Sequence, residues 1–341
     1  MSEKKFNKRR KITLSEELVK KKWRWGKYRW FVLLFIILGI FGSNAFSPIQ
    51  PTVQLPAENL TRTISLGFLG NFALTNTMVA MILVDIIVIL IAWSVKKAVK
   101  QSEKEGYTMA KGLAGAIEAL FDYLYDMTQT TAGKWTKTIF PWFASITLVL
   151  LVANWMELIP GVDSIGLLHH AENGYGLQEI LPGINAIVKP AVAEGGYHVV
   201  PFVRALSTDL NFTLALALIV VFMTQVIGVR AQGMEYFTKF WNTKTFFSKP
   251  FFGLIDWVVG ILEIISEFSR ILSFAFRLFG NIFAGSVMLF VIGSLVPIIA
   301  QSAFLGLEFF VGAIQALVFG MLAMNFMALA TQGHGQEEEQ H

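Results

Sequence analysis

Cysteine is absent from all 341 residues. That excludes a disulfide framework, a structural zinc thiolate site and a cysteine nucleophile, and it leaves the redox compartment open. Charge is scarce: 15% of the residues are Asp, Glu, Lys or Arg and 54% are hydrophobic, whereas a soluble domain carries roughly 25% charged residues. No GxxxxGK[ST] run occurs, so no P-loop is present to cradle a nucleotide. No internal repeat of paired, broken apolar segments appears, which weakens a secondary-transporter architecture. What remains is the composition of an integral membrane protein, with 30 Phe and a net charge of +4. The excess charge is concentrated, because Met1 to Arg29 holds twelve Lys/Arg against Glu3, Glu16 and Glu17. Such a run can mark nucleic acid, but directly before an apolar segment it marks a cytoplasmic flank.

The apolar segments predict an all-α membrane protein with about six membrane segments. Trp30 to Phe46 is the first, about 17 residues long and at the lower limit for a bilayer of about 30 Å. "SNAF" at its end resembles a signal-peptidase site, the alternative to an uncleaved anchor, but the charged region before it is long for a secretory signal. A Pro-rich connection leads to the second span, Asn71 to Val95, closed by "KKAVK". In Gly106 to Lys137, Leu113, Ile117, Leu120, Leu124 and Met127 recur at helical spacing against Glu118, Asp122 and Asp126, which predicts an amphipathic surface helix. Phe140 to Ile159 and Leu206 to Val229 are the third and fourth spans, joined by a long acidic loop with adjacent His169 and His170. The basic residues then place the amino terminus, "KKAVK" and the 230 to 249 connection inside, and the 162 to 204 loop outside.

Phe251 to Gly293 is too long for one upright span, since about 43 helical residues run roughly 64 Å. Proline is missing between Pro250 and Pro297, so one long tilted helix is preferred to a hairpin. Pro297 to Thr331 makes its partner, and a short acidic tail ends the chain. Positions seven apart lie within about 20° on a helix, so Glu263, Arg270 and Arg277 share a face with Glu267 and Asn281 beside them. Gln301, Glu308 and Gln315 repeat the spacing in the last span. A charge at the centre of a membrane helix costs roughly 2.5 to 3.5 kcal/mol on insertion scales, so such stripes mark an ion path or its lining. Arginine suits a fixed positive charge there because its pKa lies above about 12. Competing readings remain for the rest of the stripe: Glu263, Glu267 and Arg270 can satisfy one another, Glu308 and Gln315 can be packing hydrogen bonds, and Asp85 is read as an interhelical contact.

The run "SFAFRLFGNIFAG" resembles subunit a of the F-type ATP synthase. The likeness rests on Arg277 and Asn281 in "RLFGN", on Gln315 in "GAIQALVFGML", on Asn154 and Glu157 in "NWMELIPG", and on Ser207, Asp209 and Asn211 in "LSTDLN". It covers roughly Asn71 to Thr331 with the order of elements kept. Some members carry a carboxylate nine residues after the arginine and a histidine seven before the glutamine; here these positions are Ser286 and Glu308. The resemblance implies a stator of the membrane proton channel, not catalytic alone and without a cofactor or metal. Its implied partners are c-ring subunits packed against the Phe251–Gly293 and Pro297–Thr331 pair, peripheral-stalk b subunits and the remaining synthase, in the lipid bilayer of a bacterial cell membrane, with no nucleic acid. Proton translocation is expected to use Arg277, Glu308, Gln315, Asn281, Ser286, Glu157, Asn154, Asp209, Asn211 and Ser207, with Glu263, Glu267 and Arg270 as an accessory stripe. Three regions follow: 1–70 with the extra anchor, 71–331 as the membrane domain, and 332–341 as the tail, both termini cytoplasmic. The rival function is a self-contained ion-coupled transporter, whose stripes bind substrate within this chain.

Overall fold

The computed structural model describes residues 29–45, 56–65, 67, 71–104, 112–159, 162–171, 174–192, 195–240, 250–295 and 299–332. The basic run before Arg29, most of the Pro-rich connection, Lys244, Lys249 and the acidic tail lie outside the described residues.

The apolar runs become the helices, with Pro141 accommodated inside one of them and Pro250 opening another. They are α1 (Arg29–Ala45), α2 (Asn76–Lys104), α3 (Leu113–Ala132), α4 (Thr136–Met156), α5 (Leu210–Gln232), α6 (Pro250–Leu295) and α7 (Ile299–Ala330). Five helical stretches among the described residues are long and apolar enough to cross a membrane, α3 and α4 counting as one. The first helix, α1, has 17 residues, short of the roughly 20 that span. At 46 residues, α6 is one continuous helix about 69 Å long, so it cannot stand upright in a core of about 30 Å. The hairpin alternative is thereby excluded.

The amphipathic segment forms α3, which buries Leu124 and exposes Asp122 and Asp126. Part of its apolar side packs on its own chain, for Phe121 and Tyr125 meet Phe140 of α4 edge to face at 6.3 and 5.2 Å, while Leu120 stays exposed. Gly133 makes the break between the two helices at φ 51°, a value that suits glycine.

The core forms where α4, α5, α6 and α7 meet, around Leu150, Val220, Phe274, Leu278, Ile282 and Phe319. Ala217, Ala275, Ala316 and Ala323 are buried among them, and small side chains let membrane helices approach closely. Gly320 extends the principle, since a Cβ there would overlap Thr147 and Phe143 of α4.

The 162 to 204 segment, read from sequence as a long loop, folds as a four-stranded antiparallel sheet in the order β3-β6-β4-β5, after a two-stranded pair β1 (Ile64–Ser65) and β2 (Asn71–Phe72). Its strands are β3 (Gly166–Ala171), β4 (Gly174–Leu181), β5 (Ile184–Val192) and β6 (Gly196–Pro201). The hairpin signal was present in "LPGI": Pro182 leads the turn and Gly183 takes φ 82°, the residue types of a type II turn. His169 pairs across strands with His198, and His170 with Tyr197. Among the described residues no group of three or more metal-ligating side chains forms. Asp85, read from sequence as an interhelical contact, is exposed on α2 and makes no hydrogen bond or ion pair with a described residue.

Candidate functional site

At the sheet end of the bundle, α4 holds α7 in register. Asn154, 4% exposed in the last turn of α4, donates from its amide to the Gly312 carbonyl at 3.0 Å and accepts Ser207 Oγ at 2.7 Å. Gly312 allows this approach, because a Cβ there would stand 3.2 Å from that of Asn154. Next to it, Trp155 donates to the Phe309 carbonyl at 3.0 Å and stacks on the Phe309 ring at 4.5 Å. These contacts fall between Glu308 and Gln315 on α7. Asp209 caps α5 through the Asn211 backbone at 2.9 Å and accepts Thr77 Oγ1 at 3.0 Å. The structure therefore joins Asn154 to Ser207 and ties Asp209 to α2, whereas Asn211 is exposed and takes part through its backbone.

Glu157 continues from α4 and meets Ser286 of α6, whose hydroxyl donates to Glu157 Oε1 and also lies 3.0 Å from the Ile282 carbonyl. Both line a cavity of about 160 Å³ with Asp163, Ser164 and Gln301. Burial pushes the Asp163 carboxyl up to about 6, partly opposed by the Arg204 guanidinium. Glu308 and Gln315 are 5% and 4% exposed. Gly285 faces the Glu308 carboxylate so closely that a Cβ would overlap it, and Glu308 Oε1 has no hydrogen-bond partner among the described residues. Gln315 accepts Asn281 Nδ2 at 2.7 Å while its own Nε2 has no partner among the described residues.

Arg277 stands one turn before Asn281 on the exposed side of α6 and makes no hydrogen bond or ion pair with a described residue. Two turns earlier, Arg270 bonds Glu267 at 2.8 Å and lies over the Phe326 ring at 4.8 Å. Glu263 and Arg270 line a second cavity of about 130 Å³ with Thr224, Gln232, Tyr236 and Gln332. Tyr236 reaches it by folding back across Gly228, where a Cβ would overlap its ring, to donate to Gln225 at 2.8 Å.

Thr77, Asp163 and Gly312 were missed by sequence reasoning. Thr77 and Asp163 are polar residues flanking spans, a weak signal. Nothing in the sequence marks Gly312 as the acceptor for a residue 158 positions away.

The sequence model described as ATP synthase A chain matches residues 77–328. A curated relative, ATP synthase subunit a 1 of Syntrophotalea carbinolica (strain DSM 2380 / NBRC 103641 / GraBd1), is 29% identical over 224 residues, 65% of this chain and 74% of that protein. With most of its length matched in this way, and its apolar helices arranged around these polar groups, the chain belongs to the ATP synthase A chain family, subunit a of the F-type enzyme and a membrane component of its proton-translocating Fo sector.

Proposed function

We propose that this chain forms two aqueous half-channels that deliver protons to a ring of c subunits and receive them after rotation, with Arg277 separating the two paths. The observation that carries the reading is the placement of two cavities, each lined in part by charged and polar side chains, on opposite sides of Arg277 along α6. Arg270 in one lies seven residues before it and Ser286 in the other nine residues after it, so the cavities stand about 10 Å and about 14 Å away along the axis. Ser286, Glu157 and Asp163 line the path at the sheet end, assigned to the outside. Glu263, Arg270 and Gln232 line the path at the other end, assigned to the inside.

Glu308 serves as the last proton-handling group on the outer path. It is buried, has a free carboxylate oxygen among the described residues, and is held in register by the contacts of Asn154 and Trp155 to α7. Asn281 and Gln315 fix one another one turn from Arg277, which is exposed and makes no hydrogen bond or ion pair with a described residue. A permanent positive charge there favours ionisation of a carboxylate arriving on the ring and opposes direct passage of cations between the cavities. Apart from their own helix backbone, Gly280 of α6 and Gly306 of α7 have no atom of a described residue within 4 Å of where a Cβ would stand. This bare surface suits close approach of a ring helix. Each proton falling through 100 mV supplies about 2.3 kcal/mol, so coupling requires that none cross without turning the ring. Peripheral-stalk b subunits complete the stator in this reading, and the amino terminus lies in the cytoplasm.

Membrane vesicles containing Arg277→Gln, Arg277→Ala and Arg277→Lys test the assignment. Gln should abolish coupled synthesis with the complex still assembled, Ala should permit passive proton leak, and Lys, a compact ammonium that can deprotonate when desolvated, should restore coupling poorly. Near-normal synthesis in Arg277→Gln removes this arginine from the mechanism.

A further inference from the structure

We propose that the exposed face of α2 centred on Asp85 is a docking surface for a transmembrane helix of a different chain of the complex, one that presents a basic or amide side chain at mid-bilayer to pair with the Asp85 carboxylate.

The argument begins with depth. Between Thr77 and Lys96, residues Met78 to Val95 form an apolar stretch interrupted by one charge, Asp85. Those 18 positions are about 27 Å long, close to the hydrocarbon thickness, and Asp85 lies about 10 Å in from Met78 and about 15 Å from Val95. Both ends of the stretch are anchored. Thr77 donates to Asp209, and Asn76 pairs with the Glu58 backbone in both directions. At the other end Lys96 and Lys97 are exposed, with Lys97 5.7 Å from the Trp93 ring centre. The helix therefore cannot slide to bring Asp85 to water. A lysine or arginine would snorkel along its own stem, but aspartate has one methylene and remains at the depth of its Cα.

Exposure supplies the second step. Only 11% of the most apolar window of α2 is buried, against 28 to 50% in the other four membrane stretches. Asp85 is exposed and makes no hydrogen bond or ion pair with a described residue. On its face, Met81, Ile82, Ile86, Ile89 and Trp93 are exposed as well. An acid facing lipid at this depth costs roughly 2.5 to 3.5 kcal/mol on insertion scales, and polar groups inside membranes pair with one another or with backbone carbonyls. The carboxylate requires a donor, and the described part of this chain brings none to it.

The chemistry also selects among occupants. A second copy related by a two-fold axis along the membrane normal places the same face against itself. Asp85 then meets Asp85, with no donor closer than Trp93, eight residues or about 12 Å along the helix. Like charges facing one another are unfavourable. A helix of another chain with Arg, Lys, His, Asn or Gln at the matching depth satisfies the acid and covers the apolar residues around it.

The intact complex in its own membrane provides the test. A benzophenone amino acid placed at Ile82 or Ile89, with Asp85 retained, should on irradiation form an adduct with an apolar segment of another chain. Mass spectrometry of that adduct should locate a basic or amide residue within one turn of the cross-link. In detergent-solubilised complexes, Asp85→Leu should lower retention of that chain at least fivefold, and Asp85→Asn should lower it less because the amide still hydrogen-bonds. Adducts with lipid alone, with α2 of a second copy, or with a segment lacking a donor overturn the proposal. So does undiminished retention of the cross-linked chain in Asp85→Leu.

Discussion

Replacing Gly285 by alanine tests the placement of Glu308 through a single methyl group. The new Cβ would stand 2.6 Å from Glu308 Oε2 and closer still to the other carboxylate atoms. Ordinary carbon–oxygen contact begins near 3.4 Å, so the carboxylate must retreat by about 1 Å. Overpacking of this kind costs about 1–3 kcal/mol. A displacement of about 1 Å in a positioned group can cost about a hundredfold in rate. The carboxylate lies at the end of a flexible side chain, so the helices can keep their packing while the acid moves. Gly285→Ala should therefore leave subunit content unchanged and reduce ATP-driven acidification of membrane vesicles roughly ten- to a hundredfold. Glu308→Asp withdraws the acid by one methylene and should also lower flux when alone. Combined with Gly285→Ala it should lose less than the two single effects together, giving a coupling energy of about 1 kcal/mol or more. Full activity in Gly285→Ala, or strict additivity in the double variant, refutes the idea that Glu308 acts from the position packed against Gly285.

Three further outcomes follow from the same geometry. Asp163→Asn removes a carboxyl raised to about 6 from its ordinary 3.8; because the folded value is the higher one, its stabilising contribution is lost as pH rises from about 4 through 6. The Asn variant should lack that fall in thermal stability, and its proton uptake at the sheet end should lack a step near pH 6, both read from melts and vesicle assays at stepped pH. A Cβ at Gly280 has no atom of another described residue within 4 Å apart from its own helix backbone, so with Gly280→Leu the chain should accumulate normally while ring-coupled proton pumping falls at least tenfold; unchanged pumping places the ring elsewhere. Asn154→Ala leaves the Ser207 hydroxyl and the Gly312 carbonyl without their partner and should lower stability by about 1–3 kcal/mol, with a loss of proton flux that Ser207→Ala reproduces only in part.

Much of this protein is determined locally and is therefore legible in its sequence. The lengths of α6 and α7 follow from apolar runs without proline. The position of Arg277 within α6 and its heptad relation to Glu263 and Arg270 follow from helix geometry alone, and the two latter residues do line one cavity. The order of spans and the polar residues flanking them were legible for the same reason, since lipid leaves the backbone few options besides a helix. Pairing between helices was not legible. Glu308 against Gly285, Asn281 with Gln315, and Asn154 with Gly312 join residues 23, 34 and 158 positions apart, and their meeting depends on the rotation of each helix about its axis and its register against its neighbours. Asp85 shows the same limit from the other side, since its sequence context is that of any isolated intramembrane acid and only the packed bundle leaves it facing outward. The sheet between α4 and α5 lies between these cases, because "LPGI" encodes its hairpin locally while the placement of β6 between β3 and β4 required the strands to find one another. Short-range hydrogen bonding and hydropathy act along the chain; close packing acts across it, and the candidate proton path is built almost wholly from contacts of the second kind.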